Sequence, residues 1–375
     1  MAARTLDTTL QSDLGPKKRS IVINGKFLLA SLEGMPRVGR EICRAFDALL
    51  DEEQYAGLDL RLAVPRGGDK ITTFRNIKIE VVGRLQGLLW EQIEFPLYAG
   101  KRYCLNFTST APIFKRHGCV VVHDAQFRST KQSHDLKSSI LYNGITPHVA
   151  RRYDTIVTAS EYAKKEIREY DVCKRDDIHT IPHGADHVLR CSVNREILKK
   201  FSLGDGQFAL SNSYVWPHKN VRVLLEAFFK GDPTRKLVLF GSSQLAAYKE
   251  RGIEVPPNVT FLGRISDEEL VSLMATSRMF LFPSTTEGFG LPPLEAMLLG
   301  SPTICSRSGP MPSNCGNGAL YADPSKPEEW LAQIDRLWNS EFERDCLSRL
   351  GRARASLFKW ETSARRYLDL IMARA

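Results

Sequence analysis

Two glutamates eight positions apart mark the part of this sequence best suited to binding a charged ligand. Residues 287–295 read EGFGLPPLE and follow 279–282, an apolar run with the composition of a buried strand. Gly288 and Gly290 let the backbone approach a ligand closely, and the two prolines suit a first helical turn. The stretch predicts a strand, a glycine turn and a helix N-terminus, an arrangement that binds phosphate groups through free backbone N–H groups.

The two carboxylates of this stretch predict contacts with hydroxyl groups. Glu287 lies in the turn and Glu295 in the helix, so the two can accept hydrogen bonds at separate points along one ligand. A buried acid in the first turns of a helix needs a partner, and a pair of ribose hydroxyls would serve. A plain strand–loop–helix junction with two surface acids is the alternative interpretation.

A lysine and a histidine elsewhere in the chain fit the same chemistry. Lys219 lies in 213–220, SYVWPHKN, ahead of a helical pattern, where an ammonium can neutralise a diphosphate as its sugar bond breaks. His123 ends the apolar run 119–123, and parallel sheets bind ligands at the carboxyl ends of their strands. The alternative interpretation is that Lys219 is an ordinary solvent-exposed lysine and that His123 is a polar residue whose hydrogen bonds are satisfied at the end of a strand.

The elements that must position these residues come in two series. Short apolar runs alternate with amphipathic stretches from Ser20 to Ile181, and a second such series begins near Phe208. The first series includes a predicted helix over 85–97, stopped near Pro96, and another over 135–153. Two series of alternating strands and helices predict two doubly wound, mostly parallel α/β domains that face each other across a cleft.

Composition and charge narrow the class of protein. A chain of 375 residues exceeds one typical core and suits two domains. The 52 basic and 43 acidic residues give a net charge of +9, which favours an anionic partner but does not choose among nucleotide phosphates, nucleic acid and an acidic membrane. No zinc-finger spacing or aromatic RNA-binding motif is present, so we expect no nucleic-acid partner.

Cysteine spacing and hydropathy bear on the compartment. The eight cysteines form no CxxC pair, which argues against a zinc ribbon or a redox motif and fits reduced thiols. The first residues lack the apolar run of a signal peptide, and no apolar stretch is long enough to span a membrane. We therefore expect a cytoplasmic protein.

The stretch 287–295 resembles the E-x7-E signature of the family-4 glycosyltransferases, which are retaining enzymes with the GT-B fold. Four further segments are similar to that family in order and spacing: 24–37, 158–163, 181–186 and 213–220. The resemblance covers 20–370. It implies an α/β protein of the GT-B class: two doubly wound Rossmann-like domains face a central cleft, and a C-terminal helix, anchored by Trp360, packs back toward the first domain.

The resemblance also implies a division of the chain and a set of site residues. The domains it implies are a flexible tail at 1–19, an acceptor-side domain at 20–190, a nucleotide-sugar-binding domain at 191–355 and a crossover helix at 356–375. The catalytic residues are Glu287, His123 and Lys219. The donor-binding residues are Gly34, Arg264, Ile265, Gly288, Phe289, Gly290, Leu291 and Glu295.

The activity implied by the resemblance is transfer of a hexose (mannose, glucose or rhamnose) with retention of configuration. The donor is a GDP-, UDP- or dTDP-linked sugar, and the acceptor is a glycan or a polyprenyl-linked sugar in bacterial surface polysaccharide assembly. No metal is expected, because protein cations and a helix N-terminus take its place. The helix around Leu88-Leu89-Trp90 adds an expected contact with the anionic inner face of the cytoplasmic membrane, although a core-facing helix is the simpler interpretation.

Two positions depart from the family pattern. Tyr214 stands where most relatives have an arginine, so one phosphate cation is missing unless Arg37 or Lys26 replaces it. Ser313 stands where relatives usually have a glutamate. Tyr214 keeps open a second hypothesis, a catalytically weak or inactive nucleotide-sugar-binding protein on the same fold.

A third hypothesis, a nicotinamide oxidoreductase, finds little support. The glycine pattern at 204–209 precedes a predicted strand, whereas a dinucleotide fingerprint follows one. His183 and His187 are interpreted as loop residues that lack the partners of a metal site.

Overall fold

The structure is a computed structural model that describes residues 19–30, 34–129 and 136–374, without the side chains of 136–140. The predicted tail at 1–19 lies outside the described residues except for Arg19, which begins the first strand.

The first sheet contains seven parallel strands. They are β1 (Arg19–Asn24), β2 (Leu58–Val64), β3 (Lys78–Val81), β4 (Tyr103–Asn106), β5 (Gly118–Val121), β6 (Thr155–Thr158) and β7 (Ile178–Thr180). Their order across the sheet is β3-β2-β1-β4-β5-β6-β7. Strand β4, at the centre of the sheet, was not predicted, because four residues between a basic pair and a polar segment are too few to show a period.

The helices of the first domain follow these strands. They are α1 (Met35–Leu49), α2 (Gly87–Leu89), α3 (Phe95–Ala99), α4 (Gln126–Ser129), α5 (Leu136–Arg152) and α6 (Glu161–Glu169). A π-helical turn, Trp90–Glu94, joins α2 to α3, and we call the continuous element helix 87–99.

The predicted stop near Pro96 is wrong. The amide of Phe95 bonds to the carbonyl of Trp90, five residues back, so the hydrogen-bond register shifts just before the proline. Pro96 then lies in the first turn of α3, where a backbone N–H group would make no hydrogen bond within the helix. The proline therefore does not stop the helix, which continues to Ala99.

The second sheet contains six parallel strands. They are β8 (Phe208–Asn212), β9 (Lys236–Phe240), β10 (Val259–Gly263), β11 (Met279–Phe282), β12 (Thr303–Ser306) and β13 (Leu320–Ala322), in the order β10-β9-β8-β11-β12-β13. All residues of β11 are buried, as expected for a parallel strand covered on both faces. The short edge strand β13 was not predicted.

The remaining helices cover the second sheet and end the chain. They are α7 (Glu196–Lys200), α8 (Val221–Lys230), α9 (Leu245–Lys249), α10 (Asp267–Thr276), α11 (Leu291–Leu298), α12 (Met311–Cys315), α13 (Pro327–Asn339), α14 (Glu341–Ala355) and α15 (Trp360–Met372). Helix α15 returns to the first domain, where Tyr367 and Leu368 join the core that contains Phe46 of α1. The domains are therefore connected both at the linker after β7 and through α15.

Candidate active site

A cavity of about 650 Å³ lies between the two domains, at the carboxyl ends of strands in both sheets. It is lined by nine of the residues predicted from the sequence: Gly34, His123, Lys219, Glu287, Gly288, Phe289, Gly290, Leu291 and Glu295. The two others, Arg264 and Ile265, follow β10 and do not line the cavity. Their assignment as donor-binding residues stays a prediction without support from the cavity.

The turn after β11 brings the N-terminus of α11 to the cavity. Gly290 precedes α11 with φ of +82°, a conformation that strongly favours glycine. A Cβ at this position would also overlap the side chain of Met311. Pro292 and Pro293 contribute no N–H group to the first turn of α11, so the backbone donors at its start are the amides of Gly290 and Leu291.

The loop that carries Lys219 is tied to the loop that carries Glu287. The amide of Thr285 donates to the carbonyl of His218 at 2.8 Å. Asn220, with φ of +52°, donates from its side chain to the carbonyl of Pro283, at the start of the Glu287 loop, at 3.3 Å. These bonds fix both loops at the same end of the sheet.

Lys219 and Glu287 form an ion pair in the cleft. Nζ of Lys219 lies 2.7 Å from Oε1 of Glu287, and both side chains are mostly buried. The lysine donates and the carboxylate accepts, so each charge has a partner within the protein. A phosphate group placed here would compete for the lysine and release the carboxylate.

His123 faces this pair from the first domain as a neutral ring. Its Nε2 lies 2.7 Å from the carbonyl oxygen of Phe107, which can only accept, so Nε2 carries the proton. Burial lowers the pKa of His123 below its usual range. Its Nδ1 is therefore the acceptor nitrogen of the ring.

His183 lies beside His123 and also lines the cavity. The two ring centroids are 5.4 Å apart, and burial, followed by the neighbouring His123, holds the pKa of His183 well below its usual range. His183 lies in the loop after β7, as interpreted from the sequence, and this loop brings its ring to the cavity. The match of 181–186 to a family segment was the available signal.

Residues 194–354 match the family Glycosyl transferases group 1. This range contains Lys219, Glu287 and Glu295, the residues that form the second-domain wall of the cavity. The second domain is a group 1 glycosyltransferase domain. The family predicted from 287–295 is thereby confirmed.

Known proteins similar to this chain include two mannosyltransferases. The chain is 32% identical to the O-antigen chain mannosyltransferase B of Escherichia coli over 218 residues, which cover 55% of this chain and 57% of that protein. It is 26% identical to the O-antigen chain mannosyltransferase RfbU of Salmonella typhimurium over 301 residues, 75% of this chain and 79% of the relative. The first alignment thus spans little more than half of that relative's length.

A solved structure matches nearly the whole chain. Anabaena Alr3699/HepE in complex with UDP and glucose superposes with a TM-score of 0.70 and 15% identity, over 95% of this chain and all of that one. This similarity shows the fold and confirms the predicted GT-B class.

Glu295 in α11 of the group 1 domain has a partner that the sequence analysis did not identify. Nε2 of His187 lies 3.1 Å from Oε1 of Glu295, and both side chains are buried. The sequence interpretation of His187 concerned metal binding alone and did not predict this contact with Glu295. No spacing rule predicts this contact, because the two residues belong to different elements far apart in the chain.

Lys26 and Arg37, the two candidates to replace the arginine missing at position 214, are each paired with an acid. Lys26 binds the fully buried Glu91 at 2.7 Å, so a protein acid already neutralises it. Arg37 lines the cavity but binds Asp267 at 2.6 Å across the cleft. Tyr214 lines the cavity at the position of the missing cation.

Ser313, the second departure from the family pattern, bonds locally within the group 1 domain. Its hydroxyl donates to the carbonyl of Pro310 at 2.9 Å at the start of α12. The side chain does not line the cavity, so this departure leaves the described site unchanged.

Proposed function

We propose that the protein transfers a hexose, with retention of configuration and without a metal, from a nucleotide-sugar donor to a glycan or lipid-linked sugar in bacterial surface polysaccharide assembly. The observation behind the proposal is the shared wall of the cleft. There, the Lys219–Glu287 pair and the N-terminus of α11 face the neutral ring of His123. This wall combines cationic and dipolar groups for a diphosphate with acceptors for sugar hydroxyls.

In the proposed mechanism, the nucleotide lies on the group 1 domain. The ribose bonds to Glu295, and the diphosphate lies between Lys219 and the amides of Gly290 and Leu291. Lys219 shifts from Glu287 to the phosphate, so the carboxylate of Glu287 becomes free to accept hydrogen bonds from the sugar. This exchange links donor binding to the orientation of the transferred hexose.

The chemical step breaks the bond between the anomeric carbon and the diphosphate oxygen. An acceptor hydroxyl attacks that carbon on the same face, and its proton passes to the departing phosphate oxygen. Lys219 and the start of α11 stabilise the growing negative charge on the leaving group. His123 orients the sugar through its Nδ1 acceptor.

Mannose is the first candidate among the three hexoses because both relatives named above are O-antigen mannosyltransferases. The nucleobase is proposed to be guanine, uracil or thymine. We also propose that the protein works on the cytoplasmic side of the membrane.

A membrane contact would serve a lipid-linked acceptor. None of the helices in the described part of the chain has the length and apolarity to cross a bilayer. We propose a peripheral contact through helix 87–99, whose outer face exposes Leu89, Ile93 and Leu97. Phe114, which is 91% exposed, extends this apolar face.

The proposed membrane face continues toward the cavity. The side chain of Gln92 donates to the carbonyl of Ala111 at 3.0 Å and accepts from the amide of Ile113 at 2.9 Å. These bonds hold the loop 109–114 along the helix. Ser109, at the start of that loop, lines the cavity, so an acceptor held at the membrane has a short route to the donor.

A transfer assay with a lysine variant tests the proposed function. GDP-mannose, UDP-glucose and dTDP-rhamnose are offered with a lipid extract as the acceptor source. We expect Lys219→Met to lower kcat by about 10²–10³-fold, as for other lost leaving-group or oxyanion contacts. The matched control is Lys236→Met, because Lys236 is exposed at the opposite end of β9. Tight donor binding by the natural protein without turnover on any acceptor would support the binding-protein hypothesis instead.

A further inference from the structure

Glu295, which binds the ribose in the proposed function, is in direct contact with a buried histidine. His187 lies in the short helical turn Asp186–Arg190 that follows β7, and its Nε2 is 3.1 Å from Oε1 of Glu295. Only 6% of the His187 side chain and 9% of the Glu295 side chain are exposed. Water therefore has little room to compete for this bond.

The tautomer of His187 follows from its contact with a second residue, Trp360. Nε1 of Trp360 lies 3.1 Å from Nδ1 of His187. An indole N–H group can only donate, so Nδ1 accepts and carries no proton. The neutral ring then carries its proton on Nε2, and that N–H group donates to Glu295. In the other tautomer, the N–H group at Nδ1 would face the indole N–H group of Trp360. The unprotonated Nε2 would then face the carboxylate of Glu295.

Trp360 is itself held in place at the start of α15. Its backbone amide donates to Oδ1 of Asp186 at 2.9 Å. Its ring is buried and stacks on His183, with 6.0 Å between the ring centroids. The hydrogen-bonded chain thus runs from the crossover helix, through the domain linker, to an acid in the group 1 domain.

We infer that His187 and Trp360 are positioning residues that hold the Glu295 carboxylate in the orientation that receives the donor's ribose. The inference rests on the proposed function, which assigns the ribose to Glu295. A bond to one carboxylate oxygen fixes the side-chain rotamer before the donor arrives. Preorganisation of this kind improves affinity without any direct contact between His187 and the ligand.

The test compares nucleotides with and without one ribose hydroxyl on the full chain. GDP, UDP and dTDP are each titrated by calorimetry beside their 3′-deoxy counterparts. The measured quantity is the ratio of the affinity for a nucleotide to the affinity for its 3′-deoxy counterpart. For the nucleotide that binds, we expect this affinity ratio to be at least about ten, as for hydrogen bonds to charged groups. Glu295→Gln should reduce the affinity ratio strongly.

The positioning variants should lower the same ratio. His187→Ala is expected to bring it close to one while the 3′-deoxy nucleotide still binds. His187→Gln keeps an N–H donor and should restore part of the ratio. Trp360→Phe keeps a ring but removes the donor that selects the tautomer, so an intermediate ratio is expected. The control is His148→Gln, because His148 is an exposed histidine far from Glu295 in the fold.

The outcomes separate the inference from the proposed function. If His187→Ala weakens both nucleotides equally and the ratio stays at its natural value, the residue is merely structural and the inference is overturned. If His187→Ala does not fold, the same comparison is made with Trp360→Phe and His187→Gln. A natural affinity ratio in both of these variants would then overturn the inference. If the natural protein binds none of the nucleotides, or binds each pair equally, the ribose assignment fails and the inference fails with it.

Discussion

Lys219 and Glu287 are the charged pair at the cavity wall of the proposed donor site. Each is mostly buried, and an unpaired charge at that depth would be costly. Pairing at 2.7 Å satisfies both groups and keeps them at the cavity wall. In the proposed mechanism the donor exchanges partners with this pair, so neither charge would be left buried and unpaired when the donor binds.

Glu166, a buried acid at the edge of the site, supports a prediction about pH. Its Oε1 accepts from the hydroxyls of Tyr162 and Thr286 at 3.0 Å, and Oε2 is buried without a hydrogen-bond partner among the described residues. Burial raises the pKa of Glu166 above its usual range. The native state therefore loses stability as pH rises from the ordinary carboxyl pKa, about 4.3, through the raised value.

We expect Glu166→Gln to raise the Tm at pH 8 relative to the natural protein and to change it little at pH 4. Glutamine cannot ionise, so the stability lost by deprotonation in the natural protein is retained in the variant. Thermal unfolding followed across this range measures the difference. Glu254→Gln, which changes an exposed glutamate in the second domain, is the control. Equal shifts at both pH values would contradict the assignment.

Helix 87–99 is apolar on two faces, which is unusual for a surface element. Trp90, Phe95 and Ala99 are fully buried against the first sheet, so the simpler interpretation of a core-facing helix holds for one side. The opposite side exposes Leu89 and Leu97 at 60% and 77%. Exposed apolar surface of this extent commonly marks an interaction site.

We expect a triple variant, Leu89→Ser, Ile93→Ser and Leu97→Ser, to lose most binding to vesicles that contain phosphatidylglycerol. Lys101, Lys115 and Arg116 flank the apolar face, so the natural protein should prefer these vesicles to neutral ones. Cosedimentation measures the bound fraction.

The control for the vesicle experiment removes equally exposed apolar residues elsewhere. Leu189→Ser, Val193→Ser and Leu357→Ser change side chains that are 59%, 46% and 64% exposed. If this control loses as much vesicle binding as the triple variant, helix 87–99 has no special role. If the natural protein does not distinguish anionic from neutral vesicles, the proposed charge contribution is wrong.

At the scale of the whole molecule, the two domains are in contact across the cleft. The hydroxyl of Ser160 donates to the carbonyl of Gly288 at 2.6 Å, and the amide group of Gln126 donates to the carbonyl of Thr286 at 3.0 Å. A Cβ on Gly288 would overlap the backbone carbonyl of His123. In the proposed mechanism, this close approach of the two domains would limit the access of water to the reacting sugar.

We expect Gly288→Ala to hold the domains apart. The added methyl group meets backbone rather than a flexible side chain, so the neighbour cannot move aside cheaply. Small-angle scattering should show a larger radius of gyration, and kcat/KM should fall by about tenfold or more, as when a closure step is impaired. Gly57→Ala is the control, because nothing lies within 4 Å of its Cβ position. Unchanged scattering and turnover would contradict this role for Gly288.

The sequence by itself determined the local arrangement of the site. The buried strand at 279–282, the glycine turn and the proline-led helix depend on neighbouring residues, whose periodicity and backbone preferences can be read in one short stretch. His123 was predicted because it ends an apolar run, and Lys219 because it lies just ahead of a helical pattern; in parallel α/β sheets both places lie at the edge where strand ends converge.

Only the tertiary structure decided which distant residues support the site. His187 and Trp360 are 173 positions apart and meet because α15 returns to the first domain beside the linker. The same holds for the pairing of Lys26 with Glu91 and for the outward turn of Leu97. Periodicity records which face of an element is apolar. It does not record which elements become neighbours, because that depends on packing over the whole chain.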